Sequence, residues 1–161
     1  MLSQQIFSLL GGPRARAVFA ALTVLALLKR RRPWSAAALV TAVGGAGALN
    51  TALKIVVRRQ RPQKLEGIAQ AGGYSWPSGH TTGSFVFFGV LPYLLWTPAR
   101  RPLVTAATVM GSMLGTAFVG RSRIVLRQHH ESDVLSGYAV GAAWLAVVLK
   151  MFEGPLRRER V

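Results

Sequence analysis

Three short clusters of basic, hydroxyl and imidazole side chains interrupt an otherwise apolar chain. Lys54 is followed, after six residues, by Arg61 and Pro62. Pro77-Ser78-Gly79-His80 comes next. Ser122-Arg123 is followed after five residues by His129 and after three more by Asp133. Together these hold what breaking a phosphate ester requires: cations for the anion, an imidazole to attack, a carboxylate to orient it and a second imidazole to move protons. Phosphoryl transfer depends mostly on positioning and charge neutralisation, so residues this far apart must be gathered by the elements between them.

Lys54 and Arg61 lie seven residues apart, nearly two helical turns. They share one face if the helix persists, and Pro62 then ends it. Such a pair is a clamp for phosphate, although a snorkelling lysine and an ordinary basic flank give the same pattern. Ser78 is a natural N-cap, and Gly79 lets backbone amides approach an anion. His80 then falls in the first helical turn, where negative charge is favoured. Arg123 can grip a phosphate with two parallel hydrogen bonds. His129 and Asp133 are four apart, so Asp133 faces His129 if the stretch is helical. A carboxylate that accepts one ring N–H leaves the other nitrogen free to attack. Ser132 is a candidate cap for the last helix. On residue chemistry alone His130 rivals His129 as nucleophile, and Glu131 rivals Asp133 as its partner.

Apolar residues make up 51% of the 161, and 20 Lys and Arg against five Asp and Glu give a formal charge of +15. So basic a chain first suggests nucleic acid. Here, however, the basic residues punctuate long uncharged stretches, as in loops that meet anionic headgroups. The expected partners are therefore a bilayer and a lipid phosphate substrate, with no nucleic acid. There is no cysteine, which removes disulfide, thiolate and zinc–thiolate chemistry. Five acidic residues leave little for a carboxylate metal cage, and no metal or other cofactor is expected.

A spanning helix needs about 20 mostly apolar residues. Residues 34–57, 81–96, 102–120 and 134–152 meet or approach this. Residues 17–28 span only if the flanking arginines and lysines reach headgroups. Gly44, Gly45, Ala46, Gly47 and Ala48 predict close helix approach, Pro92 predicts a kink, and Lys150 a snorkelling end. Residues 63–76 read as the one long loop. Residues 1–10 lack a basic start or a cleavage site and read as a short interfacial helix of the mature protein. The expected fold is all-α: a membrane bundle of about five transmembrane helices, one domain over residues 1–161 with a core at about 34–152. Five spans bring all three clusters to one face of the membrane. Outside the motifs, ten basic residues lie on the opposite side against seven on the motif side, which predicts a site facing outward.

The three spacings resemble the type 2 phosphatidic acid phosphatase family of membrane lipid phosphate phosphatases. Its pattern is Lys-x6-Arg-Pro, Pro-Ser-Gly-His and Ser-Arg-x5-His-x3-Asp, in that order. The resemblance implies an acid phosphatase/vanadium haloperoxidase-like core. It implies that Lys54, Arg61, Ser78, Gly79 and Arg123 bind the phosphoryl oxygens. His129, rather than His130, would attack phosphorus to give a phosphohistidine, with Asp133 supporting the ring. His80 would protonate the leaving oxygen and then assist water, without metal. The implied substrates are a polyprenyl phosphate or diphosphate, a phosphorylated polyprenyl sugar, or phosphatidate or phosphatidylglycerol phosphate. The implied setting is a bacterial plasma membrane, in cell-wall or phospholipid metabolism.

The chain departs from the family in two places. Six spans are common there, and at most five are legible here, the missing one ahead of the first motif. Arg127 and Gln128 stand where small or aromatic residues are usual, and are expected at the pocket mouth. Tyr74 and Trp76 fit interfacial anchors, or side chains flanking an entering lipid. Two other readings are a vanadate-dependent peroxidase with vanadate on His129, for which the chain leaves little soluble body, and a non-catalytic lipid-binding membrane protein, against which the intact motifs stand.

Overall fold

The computed structural model describes residues 12–63, 72–95 and 102–159. The helix expected at residues 1–10 lies outside them, as do residues 64–71 of the long loop and Trp96. Among the described residues six helices follow one another: α1 Pro13–Lys29, α2 Pro33–Val57, α3 Gly79–Leu95, α4 Pro102–Val125, α5 Glu131–Met151 and α6 Glu153–Glu159. Proline stands at the start of α1 and of α2, where its missing N–H would have had no helical partner. No strand occurs among the described residues.

Helices α2, α4 and α5 are long and apolar enough to cross a membrane. Helices α1 and α3 have 17 residues each, about 26 Å at 1.5 Å per residue, a little short of a hydrocarbon core of about 30 Å. Of the five expected spans, three therefore meet the length outright. Helix α3 sits at the centre, packed against α1, α2, α4 and α5, and Pro92 lies inside it. Large apolar side chains such as Val56, Leu103, Met113 and Leu135 point outward, as an integral membrane protein requires of a surface in contact with lipid tails.

The interior is divided by chemistry. Toward the ends of α1 and α2 that meet at Pro33, the core is apolar: Leu27, Leu39, Val90, Leu94, Val148 and Leu156 are buried. Toward the other end it is polar, with Ser75, Ser78, Thr81, Thr82, Ser122, Arg123, His129 and Asp133 buried. Lipid provides no hydrophobic drive between helices, so close packing and hydrogen bonds must hold them. Of the small residues in α2, Gly45 meets this expectation. The Trp144 indole of α5 lies so near that a methyl at Gly45 would come within 2.1 Å of it, and its Nε1–H donates to the Ala42 carbonyl at 2.9 Å. Gly44 makes no such approach.

The apolar end is fastened by Glu159. Its carboxylate accepts from the Trp34 N–H at 2.7 Å, the Ser35 N–H at 2.9 Å and the Ser35 hydroxyl, and Arg32 Nε stands 3.6 Å away. The last helix thus caps the free amides at the start of α2, a role usually filled by the residue just before a helix. Lys150 pairs with Glu153 at 3.1 Å at the same end of α5.

Candidate active site

Helices alternate in direction, so the end of α2, the start of α3, the end of α4 and the start of α5 meet at the polar end. The expected common level of the three clusters is what the bundle provides, although the local geometry differs in four places.

The first difference is at Lys54 and Arg61. Helix α2 stops at Val57, and Arg58 turns into the left-handed region at φ 51°, so the two cations do not share a helical face. They converge through the loops instead. Lys54 Nζ donates to the carbonyls of Tyr74 at 2.7 Å and Ser75 at 3.1 Å. An ammonium has three hydrogens, so one remains for an anion. Arg61 uses its whole guanidinium. Nε and Nη2 donate to Gly73, Gly72 and Tyr74 carbonyls at 3.1–3.3 Å. Nη1 donates to the Gln128 carbonyl at 2.7 Å and faces His129 Nε2 at 3.1 Å. Buried Ser75 fastens the two loop segments, its N–H and hydroxyl donating to the Arg59 carbonyl and its hydroxyl also to that of Gln60. The first motif thus holds the loop that leads into the second.

Ser78 caps α3 as expected: its Oγ accepts from the Thr81 hydroxyl at 2.9 Å and lies 3.4 Å from the Thr81 N–H. The Ser78 N–H donates to the Asp133 carbonyl at 2.9 Å, tying the start of α3 to the start of α5. Gly137 permits this approach, since a methyl there would meet the Ser78 carbonyl oxygen at 3.1 Å. Gly79 has a comparable neighbour: a methyl would stand 2.9 Å from Asn50 Oδ1. His80 follows in the first turn of α3, partly buried and within electrostatic reach of Arg123, Arg61 and Lys54.

Arg123 lies in the last turn of α4, which continues past the expected end at residue 120. The residue is 4% exposed. Nε donates to the Ser122 hydroxyl at 3.3 Å, while Nη2 is buried without a partner. A buried unmatched N–H costs about 1–3 kcal/mol, more when charged, and an anion would relieve it. The Arg123 carbonyl accepts the amides of Gln128 and His129, folding the 126–129 turn in which Arg127 takes φ 48°.

The second difference is at His129. It precedes α5, so no helical turn links it to Asp133. His130 is the N-cap and Asp133 the third helical residue, its Oδ2 accepting the His130 N–H at 2.9 Å. This capping bond brings Oδ2 to 3.5 Å from His129 Nδ1, long for a hydrogen bond, and that nitrogen is buried with no other partner. With Arg61 donating to Nε2, the ring proton belongs on Nδ1, toward Asp133. Burial first, then the charges of Arg61 and Lys54, push the imidazole from 6.5 to about 2, so the ring is neutral. His130 is only partly buried and Glu131 is exposed; neither is placed like His129 and Asp133.

The third difference is that Ser132 does not cap α5. It lies inside the first turn, and its hydroxyl accepts from Arg59 Nη1 at 2.6 Å. The same Nη1 donates to Asp133 Oδ1 at 2.9 Å. Arg59 is the site residue that motif spacing missed. The available signal was that a carboxylate buried in a bundle needs a cation, but several arginines nearby were equal candidates. The fourth difference is Gln128. It is 6% exposed rather than at a pocket mouth, and its carbonyl holds Arg61. Arg127 is exposed. Tyr74 is exposed and Trp76 partly buried, and the Tyr74 carbonyl is the part that touches the site.

The family model described as the PAP2 superfamily matches residues 35–156. The chain is 27% identical over 133 residues to phosphatidylglycerophosphatase B of Bacillus subtilis (strain 168), covering 81% of this chain and 64% of that protein. It is 31% identical over 143 residues to decaprenylphosphoryl-5-phosphoribose phosphatase of Mycobacterium tuberculosis, covering 81% and 68%. The chain thus spans about two thirds of the length of these relatives. Its fold matches the crystal structure of a transmembrane PAP2-type phosphatidylglycerolphosphate phosphatase from Bacillus subtilis with a TM-score of 0.83 over 94% of this chain and 75% of that one, at 22% identity.

Proposed function

We propose, from the premise that this chain belongs to the PAP2 superfamily, that it hydrolyses a phosphate ester on a membrane lipid through a phosphohistidine on His129. The observation that carries the reading is the environment of His129: a neutral, buried ring with Asp133 behind Nδ1 and Arg61 on Nε2, within electrostatic reach of Arg123, whose Nη2 is unmatched. An incoming phosphoryl group would take hydrogens from Arg61, Arg123, the free position on Lys54, the Ser78 hydroxyl and the Gly79 amide. Drawing Arg61 toward the phosphate would also release the lone pair on His129 Nε2.

In the first step Nε2 bonds to phosphorus, and the ester P–O bond breaks with its electron pair going to the leaving oxygen, which takes a proton from His80. In the second step water attacks the phosphohistidine, His80 takes the water proton, the N–P bond breaks and inorganic phosphate departs. Asp133 supports the positive charge on the ring. The substrate classes that fit are polyprenyl phosphates and diphosphates, phosphorylated polyprenyl sugars, and phosphatidate or phosphatidylglycerol phosphate; the names of the relatives support the last two classes most. Outside the motifs, the excess of basic residues at the Glu159 end supports a site facing outward, and the bacterial relatives support a plasma membrane.

The test is phosphate release from a panel of these lipids by purified protein in detergent with chelator present, together with trapping of labelled phosphate. The expected result is turnover by wild type, none by His129→Ala, and label on His129. A strict need for divalent metal, or full activity in His129→Ala, would refute the mechanism.

A further inference from the structure

A cavity of about 210 Å³ opens beside the site, lined among others by Arg16 of α1, Asn50 and Thr51 of α2, and His80 and Gly83 of α3. Arg16 falls outside all three motifs. Its guanidinium lies flat against the bare backbone of Gly83: a methyl there would sit 2.3 Å from Cζ and 2.5 Å from each terminal nitrogen. Gly83 is one turn after His80, which places the Arg16 charge beside that ring, close enough for the two to interact electrostatically. His80 is thus flanked by two sets of cations, with Lys54, Arg61 and Arg123 as one and Arg16 as the other.

We propose that Arg16, Thr51 and His80 form a second anion subsite that holds a negatively charged group on the leaving side of the substrate, such as the inner phosphate of a lipid diphosphate. The inference rests on the lipid phosphatase reading, in which His80 protonates the leaving oxygen. Whatever departs then leaves close to His80, which also lines this cavity. A lipid monophosphate leaves as a neutral alcohol and gains little from another cation. A diphosphate leaves as a lipid phosphate anion, and a guanidinium meets such an anion with paired hydrogen bonds. Gly83 matters because only a residue without a Cβ lets Arg16 lie there.

The test compares farnesyl monophosphate and farnesyl diphosphate in one detergent, with wild type, Arg16→Gln and Gly83→Ala. Gly83→Ala keeps every charge and adds a strong helix former; the three atoms nearest its methyl all belong to the movable end of Arg16, so the guanidinium is what it displaces first. The expected result is about a tenfold fall in the diphosphate-to-monophosphate ratio of kcat/KM in both variants. If Arg16→Gln does not yield folded protein, Gly83→Ala decides alone. A ratio within threefold of wild type would overturn the subsite. Titration calorimetry with inorganic pyrophosphate separates this from the parent reading. If wild type cleaves neither farnesyl lipid, the wider lipid panel decides the phosphatase reading and pyrophosphate affinity decides the subsite: about tenfold weaker binding in the variant supports it, and equal binding overturns it.

Discussion

Replacing Asp133 by Asn tests the carboxylate at its two duties separately. Oδ2 stands 3.5 Å from His129 Nδ1. Unit charges at that distance attract by about 5 kcal/mol at an effective dielectric of about 20. In the proposed mechanism the ring has no charge before attack and gains one as Nε2 bonds to phosphorus, so about half of this attraction is realised at the transition state. With about 1.4 kcal/mol per tenfold in rate, and some loss of ring orientation added, Asp133→Asn should lower kcat by about 10²- to 10³-fold. The structural duty is the pair of bonds from the His130 N–H and Arg59, both at 2.9 Å. Asparagine can accept only one of them through its oxygen and must turn its NH₂ toward the other donor, a mismatch costing about 1–3 kcal/mol. Single-turnover phosphate release in detergent measures the first effect, and thermal unfolding of the same sample the second. Stably folded Asp133→Asn with more than a tenth of wild-type kcat would refute the assignment of charge support to this carboxylate.

Arg59→Gln should cost less than Asp133→Asn, because the Arg59 side chain is 37% exposed and water partly screens its pair. About 1 kcal/mol of stability and a five- to twentyfold loss of kcat are expected, and an effect equal to that of Asp133→Asn would mean the pair acts as one unit. The lowered value of about 2 for His129 against an ordinary 6.5 fixes a sign. Between those values the unfolded chain binds a proton that the folded chain does not, so this group lowers stability as pH falls through that window and contributes nothing above it. In the free protein the His129 ring should stay neutral at pH 5 by NMR, and titration near 6.5 would refute the environment described. Glu159→Gln weakens the cap on α2 at the far end of the bundle. A loss of about 1–2 kcal/mol with kcat unchanged per folded molecule is expected, and a large fall in kcat would show that the two ends are coupled.

Sequence determined the parts list and the level at which the parts meet. Apolar stretches of near-spanning length force an alternating helical bundle, because backbone polar groups in lipid must be satisfied within helices. Alternation then brings the ends of α2 and α4 together with the starts of α3 and α5. That was enough to gather Lys54, Arg61, His80, Arg123, His129 and Asp133. Spacing was a poorer guide to how they touch. A seven-residue interval suggested one helix from Lys54 to Arg61, yet α2 ends at Arg58 in a left-handed turn that glycine would usually signal. A four-residue interval suggested one helix from His129 to Asp133, yet α5 starts after His129.

Only the tertiary structure decided which donor meets which acceptor. Arg59 reaches Asp133 across 74 residues, Arg61 reaches the carbonyl before His129 across 67, and Glu159 caps a helix start 125 residues away. Arg16 lies against Gly83 because those two helices pack at that height. Such pairings depend on helix rotation and depth to within a few ångströms. Hydropathy sets which segments enter the membrane, but it is nearly unchanged when a helix turns or slides by a fraction of a turn, and hydrogen bonds are not.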